Sequence, residues 1–352
     1  MGRVIPLSRQ QGSFLTACRG EIPDQVPVWI LRQAGRYLPQ YRAVRSQFPS
    51  FLDFLAAPEA AAEVTLQPPE LLGVDAAILF SDILTVLPPL GLDLAFLEGE
   101  GPRISNPLTE GREKLLPRFD PMVELPHVHE TIRLCRAALP EHLPLIGFAA
   151  SPWTLACYAV DGGGGRDFSR TRAWMHRSPV SFRNLLEHLG SVLVDHLAAQ
   201  AESGCDALQI FESWGSLVAP EDYRAMVLPV IQRMCAELRE RTQVPVIFYV
   251  NGASTLLDEV ADGGANVVAV DWRIPLSKVR ARVGATPIQG NFDPTLLHAP
   301  PETIAERVRQ VAPQTRGGAW IANLGHGIQP DAPVAGLKAL IQAVHALDPR
   351  SP

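Results

Sequence analysis

Short apolar runs recur along this chain, each leading into a polar turn and then into a stretch with helical spacing. The first is Val26 to Leu31. The second, Ala76-Ala77-Ile78-Leu79-Phe80, ends at Ser81-Asp82. The third, Leu145-Ile146-Gly147-Phe148-Ala149, ends at Ser151-Pro152-Trp153. Asp206 to Phe211, Val246 to Val250, Val267 to Val270, Thr286 to Gln289 and Trp320 to Ala322 complete the set. Runs this short, apolar throughout, read as strands of a parallel sheet buried on both faces. Between them Phe182, Leu185, Leu186, Leu189, Leu193 and Leu197 share one helical face. Ile304, Val308 and Val311 share another. Val334, Leu337, Ile341 and Val344 mark the last, with Asp331 as its expected cap.

Further helices are expected over Gln10 to Cys18, Phe51 to Leu72 (with Pro58 in a first turn), His127 to Leu139, Glu221 to Arg239 and Leu256 to Ala261. Gly263-Gly264 would stop the last of these. His127 and His129, beside Pro126, read as a helix start on the surface. Eight strands alternating with helices predict a single (β/α)8 barrel spanning residues 1–352, with a preamble at 1–25 and an excursion rich in Gly, Pro and charge at 88–125. An open doubly wound sheet is the rival, but no GxGxxG joins a strand to a helix.

Composition narrows the partners. At 47% hydrophobic and 19% charged, the 352 residues suit a soluble protein with a large core. A net charge of −6 gives no general attraction to nucleic acid or to membrane. No apolar run reaches membrane-spanning length, and Met1 to Leu7 has no signal-like core. The five cysteines are scattered without CxxC spacing, so reduced thiols in the cytoplasm are expected.

Candidate chemistry lies where the runs end, because barrel enzymes place their working residues there. The first run leads into Arg32-Gln33-Ala34-Gly35-Arg36-Tyr37, and Arg45 follows in the same basic segment. Arginine is suited to bidentate capture of carboxylate or phosphate. Asp82 ends the second run. Tyr158 lies beyond the third, Ser213 beyond the fourth, and His326 sits between Gly325 and Gly327 after the eighth. Singly, each also fits a plain structural role: a cap for Asp82, a turn histidine for His326, local hydrogen bonding for Ser213 and Tyr158. Their shared rim makes them a site. Gly162 to Gly165 reads as a flexible loop, and Walker A, GxSxG and HExxH motifs are missing.

With these motifs in place the sequence resembles the uroporphyrinogen decarboxylase family over nearly its whole length. The matching pieces are Arg32 through Pro39, Phe80-Ser81-Asp82-Ile83-Leu84, Pro152-Trp153-Thr154-Leu155 with Tyr158, Phe211-Glu212-Ser213-Trp214, Gln289-Gly290-Asn291 with Asp293-Pro294, and Asn323 through Ile328. The resemblance implies a homodimeric, cofactor-free carboxy-lyase of haem and chlorophyll synthesis. It would convert the four acetate side chains of uroporphyrinogen III to methyls, giving coproporphyrinogen III. Substrate-binding positions carry over to Arg32, Gln33, Ala34, Gly35, Arg36, Arg45, Asp82, Tyr158, Ser213 and His326, with Asp82, Arg32 and Tyr158 as the catalytic group and no metal.

A substrate with eight carboxylates needs cations. One arginine–carboxylate pair is worth about 4 kcal/mol at an effective dielectric near 20, before desolvation. Asp82 fits such a ligand only if the four pyrrole N–H groups converge on it. Protonating a pyrrole carbon beside nitrogen makes a cationic electron sink, which Asp82 would stabilise. The proton donor stays open between Arg32, whose guanidinium is a very weak acid, a water and a substrate carboxylic acid. The rival enzyme is a zinc-dependent methyltransferase acting on corrinoid or thiol substrates. It needs a His/Cys set, typically His-x-Cys at the fifth strand, and that strand reads Phe248-Tyr249-Val250-Asn251.

Overall fold

The computed structural model describes residues 12–97, 99–165 and 167–350. Its strands are β1 (Ala77–Ile78), β2 (Leu94–Leu97), β3 (Gly101–Ile104), β4 (Leu145–Ala150), β5 (Ala207–Glu212), β6 (Val246–Val250), β7 (Val267–Val270), β8 (Ile288–Gln289) and β9 (Trp320–Ile321). Seven of them form one curled parallel sheet in the order β1-β4-β5-β6-β7-β8-β9. Spatial order therefore follows chain order, as it does when every crossover is a helix laid on the outer face. β2 and β3 pair antiparallel inside the excursion. That hairpin rests on the end of the helix Pro152–Asp161, where Ile104 N–H donates to the Gly162 carbonyl at 2.8 Å.

The expected first strand, Val26 to Leu31, is not a ladder strand. It makes a single parallel bridge, Val28 to Ala322. Two causes are visible. Pro27 has no N–H to give. The N–H groups of Val28 and Leu31 are taken by side chains, Asp75 Oδ2 at 2.7 Å and Asn323 Oδ1 at 2.9 Å. The segment still lies between the two sheet edges. Ala322 N–H donates to the Pro27 carbonyl at 2.8 Å, and Asp75 N–H to the Val28 carbonyl at 2.8 Å.

Two apolar layers hold this arrangement. The larger lies between the sheet's outer face and the helices, and includes Phe182, Leu189, Val250 and Leu337. The smaller fills the inner face with Trp29, Ile78, Ile146, Ile247, Tyr249 and Ile321. Each such side chain, fully buried, contributes about 1.5–3 kcal/mol. The helix Ser13–Cys18 joins the inner layer through Phe14, Leu15, Ala17 and Cys18. Gly20, just after it, meets Pro287, which precedes β8, so the helix sits at the strands' N-terminal end. Gln10 and Gln11, where this helix was expected to begin, lie outside the described residues. Across the inner face Trp29 Nε1 donates to Gln289 Oε1 at 3.0 Å, and Gln289 Nε2 to Gln209 Oε1 at 3.1 Å.

Several helices depart from the sequence reading. Phe51 to Leu72 divides into Phe51–Leu55 and Pro58–Leu72. The break falls at Ala57, which Pro58 forces out of the helical region (φ −104°, ψ 94°). The stretch from Glu221 carries a π-turn at Tyr223–Val227 before the helix Leu228–Thr242. Pro229 supplies no N–H there, and Leu228 N–H bonds instead to the Tyr223 carbonyl. Asp331 does not cap the last helix. Pro333 occupies the position before Val334–His345. His127 and His129 do open the helix Pro126–Ala138, but His129 is buried, bonded to Ser203 Oγ and the Pro121 carbonyl, not on the surface. Gly162, expected in a flexible loop, ends the Tyr158 helix in the left-handed conformation, and Gly163 bridges to Arg103.

Candidate active site

The candidate residues follow the C-terminal ends of the strands, and the first of them is Arg32. Its backbone is left-handed (φ 62°), a conformation costing a residue with a Cβ about 1–2 kcal/mol. The surroundings impose that turn. Gln33 is fully buried and braces the loop twice, with Oε1 accepting from Ile30 N–H at 3.1 Å and Nε2 donating to the Ala76 carbonyl at 3.1 Å. Tyr37 OH then donates to the Gln33 carbonyl at 2.7 Å. The Arg32 side chain is exposed, and its guanidinium has no hydrogen-bond partner among the described residues. Its charge nevertheless acts on Asp82, Tyr158, Tyr249 and His326.

Asp82 follows β1, where Phe80 N–H is fixed by Thr65 Oγ1 at 3.0 Å. Oδ1 accepts the Leu84 N–H at 2.8 Å, so the local cap is real, while Oδ2 keeps no partner among the described residues. Part of the carboxyl surface stays open, yet protein crowds it on every other side. That burial raises its pKa above the ordinary carboxylate value, opposed by the Leu84 N–H and then by Arg32. Tyr158 lies half-buried on the helix Pro152–Asp161, edge-on to Phe168 and Trp214. Burial raises its pKa too, opposed first by a hydrogen bond from the Trp214 side chain, with Asp82 raising and Arg32 lowering it further, so it stays a hydroxyl. Ser213 follows β5. Its N–H donates to Thr154 Oγ1 at 2.9 Å and its carbonyl accepts Asn251 Nδ2 at 3.2 Å, which leaves the hydroxyl free among the described residues.

The glycines beside His326 have separate reasons. A Cβ on Gly327 would strike Arg32 Cδ, and one on Gly325 would strike the backbone at Asp271–Trp272. The loop after β9 thus touches the Arg32 loop on one side and the end of β7 on the other. Burial first, and then Arg32, lowers the His326 pKa, which favours the neutral imidazole. Its ring meets Trp272 perpendicularly at 6.4 Å, and Arg273 lies over Trp272 at 4.7 Å.

The remaining sequence candidates are more peripheral. Ala34 and Gly35 are half-buried in the Arg32 loop. Arg36 is exposed and acts on Tyr41. Arg45 is half-buried and directs its guanidinium to the Phe48 carbonyl at 2.8 Å, so its donors are partly committed away from the Arg32–Asp82 group.

Two buried carboxyls escaped the sequence reading although they sit within quoted or adjacent motifs. Asp271 is fully buried and accepts the N–H groups of Gly252 (2.5 Å), Ala253 (2.9 Å) and Arg273 (2.9 Å). Glu212 is fully buried and accepts Ser151 Oγ (2.6 Å), Thr154 Oγ1 (2.6 Å) and Trp214 N–H (3.2 Å). It thereby ties the start of the Tyr158 helix to the Ser213 loop. Burial outweighs these donors and pushes the Glu212 pKa up to about 7. An unfolded glutamate ionises near 4.5, so between pH 4.5 and 7 the folded state holds the extra proton. Stability therefore falls as pH rises through that window, by roughly 3 kcal/mol from this group. Glu212→Gln is expected to flatten that part of the profile. Urea midpoints of both proteins at pH 5 and pH 8 measure it, and parallel profiles would refute the assignment.

Among the described residues no three His, Cys, Asp or Glu side chains gather as a metal-ligand set, and no helix is long and apolar enough to cross a membrane. The family model described as uroporphyrinogen decarboxylase (URO-D) matches residues 9–347. A uroporphyrinogen decarboxylase of Pelobacter propionicus is 43% identical over 339 residues, covering 95% of this chain and 98% of that one. One of Chloroflexus aggregans is 44% identical over 340 residues, 95% of each chain. Among solved structures, a methyltransferase from Methanosarcina mazei superposes with a TM-score of 0.81 at 19% identity, covering 96% and 98% of the two chains. At that identity the likeness is one of fold.

Proposed function

The chain belongs to the uroporphyrinogen decarboxylase family, and on that premise we propose that it is a carboxy-lyase converting the four acetates of uroporphyrinogen III to methyls. One observation carries the assignment of roles: Arg32, which reaches Asp82, Tyr158 and His326 electrostatically while keeping its own guanidinium unpaired. That arrangement suits an anion that must come close to a carboxylate. Arg32 and Arg36 hold side-chain carboxylates. The unpaired Oδ2 of Asp82 takes pyrrole N–H donors. Tyr158 and Ser213 present hydroxyls, and His326 adds a neutral donor. Gln33, Ala34 and Gly35 shape the loop, and Arg45 adds positive charge in the segment that follows it.

The chemistry follows from that placement. A proton added to the pyrrole carbon beside nitrogen makes the ring cationic, and Asp82 faces the charge as it forms. The C–CO2 bond breaks and its electron pair moves into the ring. Carbon dioxide leaves, the exocyclic methylene takes a proton to become methyl, and the ring loses the proton first added. Each turnover thus exchanges one carboxylate for one proton without a redox change. A fixed anion inside a protein favours the transition state because it needs no reorganisation.

We further read residues 26–31 as the eighth stave of a closed (β/α)8 barrel, with the chain forming one domain. The bridge at Val28 and the Trp29–Gln289 bond support this. A cytoplasmic homodimer is the assembly proposed by resemblance. Anaerobic incubation with uroporphyrinogen, followed by chromatography of the seven- to four-carboxylate products, tests the activity; unchanged substrate would sink it. A chelator is expected to leave the rate unaltered. Loss of activity restored by zinc would instead favour the methyltransferase-type chemistry.

A further inference from the structure

Arg273, which no sequence motif singled out, has an unusual setting. Its Nε donates to Asp271 Oδ1 at 2.7 Å and its Nη2 to Asn251 Oδ1. Its guanidinium carbon lies over the Trp272 ring, 4.7 Å from the centroid. Three sides of the fork are therefore fixed, while Nη1 has no partner among the described residues and the side chain is 44% exposed. The fixed end points the free end. Trp272 in turn meets the His326 ring at 6.4 Å, which puts this cation on the same rim as the Arg32 group. Both guanidiniums act on His326 and on Tyr249. Asp271 does not cancel Arg273 outright, because three backbone N–H groups already share that carboxylate.

We propose that Arg273 is a further substrate-binding residue: its Nη1 edge takes a side-chain carboxylate of the tetrapyrrole, and specifically one of the four that survive the reaction. The inference rests on the function proposed above. It follows from position and chemistry. A pre-positioned guanidinium loses little freedom on binding a carboxylate. A half-exposed rim site suits a carboxylate that stays charged and hydrated throughout, whereas the reacting acetates must approach Asp82.

The test compares wild type, Arg273→Gln and Arg273→Lys on two substrates, uroporphyrinogen and the isolated five-carboxylate porphyrinogen. Arg273→Gln is expected to raise KM about tenfold with little change in kcat. The penalty should be equal on the two substrates, because the surviving carboxylates are common to both. The salt dependence of kcat/KM should become shallower for Arg273→Gln and stay near wild type for Arg273→Lys. A fall in kcat and Tm together with an unchanged salt dependence would mean that Arg273 only props Asp271, and would overturn the proposal. So would a penalty confined to uroporphyrinogen, or none at all. A wild-type protein inactive on both substrates would instead remove the decarboxylase reading itself.

Discussion

Asp82→Asn is expected to lower kcat by about 10²–10³-fold, the scale seen when one preorganised electrostatic contact to a developing charge is removed. The fold should survive, because an asparagine Oδ1 can still accept the Leu84 N–H that Asp82 accepts at 2.8 Å. Binding should weaken as well, because with the amide oxygen on the Leu84 N–H the amide nitrogen stands where Oδ2 was and presents a donor to the pyrrole N–H groups. What disappears is the negative charge opposite the protonated ring. The pH profile gives a second handle. Burial holds the Asp82 pKa above the ordinary carboxylate value, and the proposed mechanism uses the anion. The wild-type rate should fall as pH drops through that raised pKa, and the variant should lack this limb. A variant turning over near the wild-type rate would take Asp82 out of the mechanism.

Arg32→Met is expected to reduce kcat/KM by about 10³-fold, within the range for truncating one partner of a desolvated charge pair. The backbone cost at φ 62° is unchanged, since methionine pays the same steric penalty as arginine there. On the proposed roles, substrate carboxylates lose an anchor. The neighbours also titrate differently. Arg32 lowers the pKa values of both Asp82 and His326, so its removal should raise both. The acid limb of the rate profile should accordingly move to higher pH. Arg32→Lys should restore the limb and only part of the affinity, because an ammonium cannot grip two oxygens in a plane. An acid limb that stays put in Arg32→Met would show that the guanidinium does not act on Asp82.

How much of this was legible in the chain depends on what kind of force places each residue. The strands β4 to β7 and the long helix Pro179–Ser203 were readable because uninterrupted apolar runs and helical spacing record burial directly. The segment 26–31 was read as a strand from the same signal. Its hydrogen bonds go to Asp75 and Asn323, partners 47 and 292 residues away, which no local pattern encodes. Pro229 and Pro333 changed helix details because a missing N–H or a fixed φ acts locally but against the periodic signal. At the site, Arg32, Asp82 and His326 stood out because each follows the end of an apolar run, and the resemblance then matched the same positions. Glu212, Asp271 and Asn291 lie in or beside the same motifs but act as braces. Asn291 Nδ2, for example, donates to the carbonyls of Asp271 at 2.8 Å and Ile274 at 2.6 Å. A carboxyl that meets substrate and one that braces a loop look alike in sequence. Only the count of donors already satisfied separates them.

The three-residue chain crossing the interior, Trp29 to Gln289 to Gln209, has a built-in direction. An indole can only donate, so Gln289 must turn its oxygen toward Trp29 and its nitrogen toward Gln209. The second amide inherits the same sense, and the sequence of donors ends on a hydrogen-bearing nitrogen, Gln209 Nε2, which is buried with no partner. The mismatch is thus pushed along the relay and left at its far terminus on β5. Replacing Trp29 by a side chain that can also accept would free both amides to reverse, and the unpaired atom on β5 would then change from a nitrogen that must donate to an oxygen that must accept.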